Sequence, residues 1–569
     1  MLSAGALSLA VTPAAGQDAS VSKADAARFL QQATFGPTGA GIAHLQDIGF
    51  AAWLSEQFGM PPPSDYLEMG ACPTATGKCP DQPPPGCDTP CNLANYTMHD
   101  LQQRFFWRAL NSPDQLRQRV AFALNQILVI SAQDGTVNRL NRMQPYVQVL
   151  EQDAFSNYRT VLYDITLNAG MGRYLDMVNN NKNAPNENYG REILQLFSVG
   201  LDKLNQDGTL ILDDQANRIP TYSQDTITNF ARVFTGWTFQ VQDDPPEPGY
   251  VNYIDPMRVG NENNHDRNPK ALLDHGDPSC TLAGQEDALP ELNHALDCII
   301  SSPYVAPYIS KNLIQHLVSS NPSQSYVSDV SAAFTSGTFT DQASGQSFGS
   351  GTPGDLQAVV AAILLDPEAR GDSAPNASAG HLLEPVLFVT NLLRDFNISD
   401  AIGSTDYVLG EAYLPAAIRM DEDVYRAPTV FNFFPPGYQI PGETTCGDSG
   451  MSACLGPEFN IQSTATSLAR VNFAQEVVFH AMPTDPNTRP FGTWLDEGTI
   501  MLLPTDVPQT LVDTLNDTMM HGSMSSQMNM RLVSAVAAVA DPDPPTQALK
   551  RAREAIYLIA TSAQYNVGR

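Results

Sequence analysis

The stretch Asn179-Asn-Asn-Lys-Asn-Ala-Pro-Asn-Glu-Asn-Tyr-Gly-Arg-Glu-Ile-Leu-Gln-Leu-Phe-Ser-Val-Gly200 changes character half way along. It begins as a loop of amide side chains, passes Pro185, and becomes helical. Proline suits the first helical position, where its missing N–H costs nothing, and glycine suits the end. Tyr189, Ile193, Leu196, Phe197 and Gly200 repeat at the i, i+4, i+7, i+8 spacing of an apolar stripe. Glu187, Arg191 and Glu192 crowd the first two turns. Glu187 and Arg191 lie four apart on one face, whereas Glu192 projects about 140° away. The stretch therefore predicts a buried helix fed by a polar loop, with a charge cluster at the junction. That cluster reads equally as a site or as a buried ion-pair network.

The same alternation of helical stripes and polar loops runs through the chain, so the fold expected is mainly α. Helices are predicted at 22–32, 42–58, 98–111, 114–131, 141–154 and 158–167, with Ser22 as an N-cap. More follow at 223–236, 288–301, 305–319, 325–335, 355–365, 381–397, 413–419, 464–482, 509–519, 528–539 and 545–560. The 114–131 segment starts basic and ends apolar, and is expected to enter the core. Residues 238–254 alternate weakly and suggest a minor hairpin. The 336–353 segment reads as an exposed connection, and Val430–Tyr438 as buried aromatic packing. No fixed-period repeat is present. The organisation expected is one large helical domain over residues 21–569, with a Cys/Pro-rich loop at 61–95.

At 569 residues the chain is long enough for a large core, and its net charge is −30. Such an acidic chain would repel nucleic-acid phosphates and anionic lipid. Residues 1–20 form an apolar segment ending in small residues. It resembles the later part of a secretory signal without its basic start, and a truncated signal cleaved near residues 16–20 is expected. No other stretch reaches the length of a membrane span. Eight cysteines cluster locally: Cys72, Cys79, Cys87 and Cys91 in one loop, then Cys280 with Cys298, and Cys446 with Cys454. An even, clustered set reads as loop-stapling disulfides in an oxidising compartment, hence export. A zinc site from the first four lacks the paired spacing zinc fingers use. Three connectivities remain open within that first cluster.

Four blocks in order carry a resemblance. They are Pro185–Gly200 followed by Phe230-Ala-Arg-Val-Phe-Thr-Gly-Trp237; Ala27-Arg-Phe-Leu-Gln-Gln-Ala-Thr-Phe-Gly-Pro37; His265-Asp266 with Lys270; and Pro428-Thr-Val-Phe-Asn-Phe-Phe-Pro-Pro436. The chain resembles, from about residue 24 to its end, the bacterial family catalogued as domain of unknown function 1800. The resemblance implies export and a mostly helical domain, supplies no reaction, and marks Glu187, Arg191, Glu192, His265 and Asp266 as motif positions.

Those five are the catalytic candidates. Glu187, Glu192, His265 and Asp266 are also the residue types a divalent metal would take, although their spacing matches no metal motif. Two carboxylates would equally serve acid–base cleavage of a glycan, with Asp225 as a third candidate and Tyr189 or Trp237 as a stacking platform. A lyase would pair His265 as base with Arg191 neutralising a uronate. Asn186, Asn188, Arg232 and Lys270 complete the expected substrate-binding set. Trp237 reads equally as a core anchor, and His316 and His381 read as core histidines. There is no nucleophile elbow and no phosphate-binding glycine loop. The expectation is an exported hydrolase or lyase acting on an extracytoplasmic polymer; a non-catalytic surface or assembly protein, its motif a structural lock, is the competing reading.

Overall fold

The computed structural model describes residues 21–64, 66, 98–241, 251–277, 280–371, 380–399, 417, 419–442, 454–480 and 494–568. Helices dominate. The N-terminal half carries α1 (Lys23–Ala33), α2 (Gly39–Ile48), α3 (Phe50–Gly59), α4 (His99–Asn111), α5 (Gln115–Ile127), α6 (Leu140–Asp153), α7 (Tyr158–Leu167) and α8 (Ala169–Tyr174). The motif region adds α9 (Asn188–Gln195), α10 (Gln224–Val233), α11 (Ala288–Ser301), α12 (Val305–Leu317), α13 (Gln324–Ser336) and α14 (Leu356–Leu365). After α15 (Pro367–Arg370) and α16 (Pro385–Phe396) come α17 (Thr464–Val478), α18 (Glu497–Met501), α19 (Pro508–Met519), α20 (Ser526–Ala538) and α21 (Pro544–Ala560). Strands are two-residue antiparallel pairs, among them Trp237–Thr238 with Arg258–Val259 and Lys270–Ala271 with Thr281–Leu282.

Buried apolar side chains from Ala26 to Tyr565 form one continuous cluster. At its centre α5 is buried along its whole length, Arg117 and Arg119 included. That outcome matches the expectation that this segment enters the core. Local capping sets many boundaries. Ser22 accepts from the Asp25 N–H at 3.1 Å, Ser223 and Thr226 form a reciprocal capping box, and Asp355 caps α14.

Several expectations are corrected. The helix foreseen over 42–58 is two helices, because Gly49 takes a left-handed φ of 82° between them. The helix in 179–200 spans only Asn188–Gln195. Its tail then unwinds through long-range turn bonds, Phe197 N–H to Glu192 carbonyl and Gly200 N–H to Leu194 carbonyl, with Gly200 at φ 70°. The 336–353 connection holds a small hairpin, Phe339–Thr340 with Ser347–Phe348. The aromatic block is only partly core: Phe434 is buried, but Phe431 is half exposed. Most of 413–419 lies outside the described residues. So do Cys72, Cys79, Cys87, Cys91 and Cys446, and the stapling expected of them is not described. Cys280–Cys298 is a disulfide, and Cys454 is also disulfide-bonded. Among the described residues no helix is long and apolar enough to cross a membrane.

Candidate functional site

The amide-rich loop is built by its own side chains. Asn180 is buried, accepts the Asn186 N–H at 2.8 Å and donates to the carbonyls of Ala231 and Phe234 at 3.3 Å. The Asn186 side chain in turn accepts the Asn188 N–H at 2.9 Å, starting α9. Asn188 is exposed and donates to Asp176. The loop thus ties the start of α9 to the end of α10. The two helices meet at Gly190, where an added Cβ would sit 2.9 Å from the Ala231 nitrogen.

Glu187 faces α10. Its carboxylate takes Arg191 at 3.0 Å, the Gln224 amide at 3.0 Å and the Thr228 hydroxyl at 3.0 Å. Both ends of the Glu187–Arg191 pair are about a third exposed, so the pair itself contributes little, about 0.5 kcal/mol. One turn further along α10, Arg232 clamps Asp266 in a two-pronged pair at 2.9 and 3.2 Å. Burial alone would raise the Asp266 carboxyl. The Arg232 hydrogen bond, the Asn268 backbone N–H and the Arg232 and Lys270 charges outweigh it and hold it at about 2.

Beside that clamp lies a sealed charge relay. His265 Nε2 meets Glu291 at 3.1 Å, and its Nδ1 meets the Thr235 carbonyl at 3.0 Å. The other Glu291 oxygen pairs with Lys270, which also donates to the carbonyls of Asp266 and Asn268. The side chains of His265, Lys270 and Glu291 are 0% exposed. Burial lowers the Lys270 ammonium, and Glu291 pulls it back up. Glu291 escaped the sequence reading. The signal was there: it falls on the apolar stripe of α11, with Ala288, Leu292 and Ala295, where an unpaired charge would not be tolerated.

Glu192 points elsewhere. It is 9% exposed, and its Oε2 has no hydrogen-bond partner among the described residues. Burial raises its carboxyl, and the adjacent Arg191 charge opposes that rise. Its charge is felt by Tyr174, Tyr222 and Tyr308. The Tyr222 hydroxyl, pushed up to about 12 by burial and by Glu192, is also buried and has no partner among the described residues. Two unsatisfied polar groups therefore share this face of α9.

The remaining expectations separate cleanly. Tyr189 is 1% exposed, bonded to Thr166 at 2.6 Å and edge-on to Phe234; Trp237 is 2% exposed. Both are core side chains and offer no stacking face. Asp225 is exposed in the first turn of α10. Glu187, Glu192, His265 and Asp266 do not converge as a ligand set. Among the described residues only His275, Cys280 and Cys298 bring three metal-binding atoms together, and the two sulfurs are bonded to each other.

A second buried charge cluster was not foreseen. Arg119 donates to the His316 carbonyl, while its Nε and Nη1 have no partner among the described residues. Glu384, Glu422 and Glu458 surround it, and Glu384 and Glu422 share a hydrogen bond. His381 lies 3.6 Å from Glu458, and His316 is lowered to about 3 by burial with Arg119 and His381 nearby. His381 is buried, as expected of a core histidine, whereas His316, on the surface of α12, is only part-buried.

The family model described as "Protein of unknown function (DUF1800)" matches residues 28–567. The chain belongs to that family. No curated protein and no solved structure matches it.

Proposed function

We propose that this protein is an exported acid–base enzyme of hydrolase or lyase class, acting on an extracytoplasmic polymer, a glycan in first place, with Glu192 as its acid/base group. The observation that carries the reading is the unused Glu192 Oε2. Of the five catalytic candidates, Glu187, Arg191, His265 and Asp266 have partners, whereas Glu192 has a carboxyl oxygen with none among the described residues. Burial keeps that carboxyl protonated to higher pH, as a general acid requires. Arg191, next in the chain and about a third exposed, holds Glu187 through Nη2 and turns the rest of its guanidinium to orienting substrate or neutralising its charge, and the Tyr222 hydroxyl offers a second proton-carrying group. Glu187, Asp266, Arg232, His265, Lys270 and Glu291 position α9 and α10. Because Glu187, His265 and Asp266 stand apart from Glu192, the reading runs on protons and assigns no metal. The Cys280–Cys298 bond supports an oxidising compartment.

The test is Glu192→Gln against wild type on a panel of neutral and uronate-containing polysaccharides, following reducing ends and unsaturated products. Loss of at least a hundredfold in rate is expected. Equal activity in the variant sinks the role of Glu192. The sealing of His265, Lys270 and Glu291 favours a second reading, a non-catalytic surface or assembly protein whose motif is a structural lock. Wild-type protein inert on every polymer would favour it.

A further inference from the structure

The C-terminus of α11 and the N-terminus of α12 meet at a groove of about 550 Å³. That is the size range of pockets for small organic ligands. Its apolar wall comes from Ile300, Pro303 and Ala306. Its polar wall includes Asn157, Gln206 and Thr352. One charge pair lines it, Arg159 with Asp297 at 2.7 Å, so that charge is answered within the protein.

Ser302 decides what the groove is for. It is 4% exposed, lines the groove, and its hydroxyl has no partner among the described residues. A buried hydroxyl without a partner costs about 1–3 kcal/mol, which a ligand hydroxyl would return. An anion would meet Asp297 and the carbonyl end of α11; a cation would meet Arg159 and the N–H end of α12. The opposed helix ends and the paired side chains cancel, so neither charge is favoured. Asn157 commits its amide to the Pro353 carbonyl and the Arg159 N–H, and Gln206 commits its N–H to the Pro303 carbonyl. What remains among the described residues is the Ser302 and Thr352 hydroxyls and the Gln206 amide oxygen beside an apolar wall, the pattern that suits a sugar ring with its hydroxyl edge and C–H face.

The geometry points to a binding subsite for a neutral saccharide between α11, α12 and the 352–353 turn. It stands independently of the Glu192 assignment. The experiment uses full-length protein, titrated by calorimetry and saturation-transfer NMR with maltotriose, cellotriose and tri-N-acetylchitotriose. Trigalacturonate, chitotriose and trialanine serve as anionic, cationic and peptide probes. At least one neutral trisaccharide binds. Ser302→Ala weakens it about five- to tenfold, the equivalent of one hydrogen bond, with unchanged or higher melting temperature. Gln206→Trp, at the exposed rim, fills the groove and abolishes binding. Glu192→Gln leaves binding unaltered, so failure of the acid–base reading and failure of this one are told apart. Absence of any neutral binding at concentrations on the order of 10 mM overturns the subsite. So does preferential binding of a charged or peptide probe, or affinity indifferent to both groove variants.

Discussion

Replacing Glu291 by leucine tests whether the motif histidine and lysine are scaffold. Glu291 joins His265 at 3.1 Å to Lys270 on its other oxygen, and all three side chains are sealed. Leucine has nearly the same volume, so the loss is electrostatic. It leaves a buried ammonium without its carboxylate, a change that costs about 3–5 kcal/mol. At about 2 cal/mol/K per residue, a chain of this length unfolds with roughly 1 kcal/mol/K of entropy, so the melting temperature should fall by about 3–5 °C. Glu187→Ala removes only a part-exposed pair and the solvent-exposed hydrogen bonds from two neutral donors, the Gln224 amide and the Thr228 hydroxyl. It should move the midpoint by about 1 °C.

Scanning calorimetry at neutral pH reads both. The double variant Lys270→Met/Glu291→Leu separates explanations, because it removes the stranded charge and should recover more than half of the loss. A Glu291→Leu midpoint within about 1 °C of wild type would refute the reasoning. So would a double variant less stable than the single. His265 and Lys270 would then be open to chemical roles again.

Glu192→Gln should stabilise the protein at pH 8 and change little at pH 4. The folded carboxyl is raised by burial, so Glu192 favours folding only below the range where an unfolded glutamate ionises, and that contribution is lost as pH rises through the folded value. Melting curves across pH would check it, and a variant both more stable and inactive would fit a group kept for function. Asp153 shares a hydrogen bond with Asp164 and is raised to about 7, by burial first and by the Asp164 charge second. Its stabilisation is present in full below about pH 4 and lost as pH rises through about 7. Asp164→Asn should flatten that decline and raise stability at pH 8 by about 1–2 kcal/mol, read by urea titration at both pH values. Gly190→Ala should cost about 1–3 kcal/mol, because the new methyl meets the Ala231 backbone and parts α9 from α10; unchanged urea unfolding would contradict that contact.

What the sequence made legible was local. Helices over 158–167 and 288–301 fall where their periodicity puts them, and the first is also capped locally, by the Asn157 amide oxygen accepting the Arg159 N–H. Gly49 was hidden because the apolar repeat runs through it, and only its φ reveals the break. The burial of α5 was readable from its apolar end, but not the company its arginines keep. Arg119 finds Glu384, Glu422 and Glu458 from segments hundreds of residues away, and no periodicity encodes that meeting. His265–Glu291 spans 26 residues and two elements, and was lost for the same reason.

The crowding of charge at the start of α9 divides by helical geometry. Residues five apart on an α-helix diverge by about 140°, so Glu187 and Glu192 cannot serve one ligand from the same helix. Glu187 falls toward α10, where Gln224 and Thr228 satisfy it; Glu192 falls toward Tyr174, Tyr222 and Tyr308, where nothing among the described residues satisfies its Oε2. The first face closes one helix onto another. A carboxyl oxygen left buried and unbonded on the second costs stability unless something beyond the described residues completes it, which is the physical reason to look for substrate there.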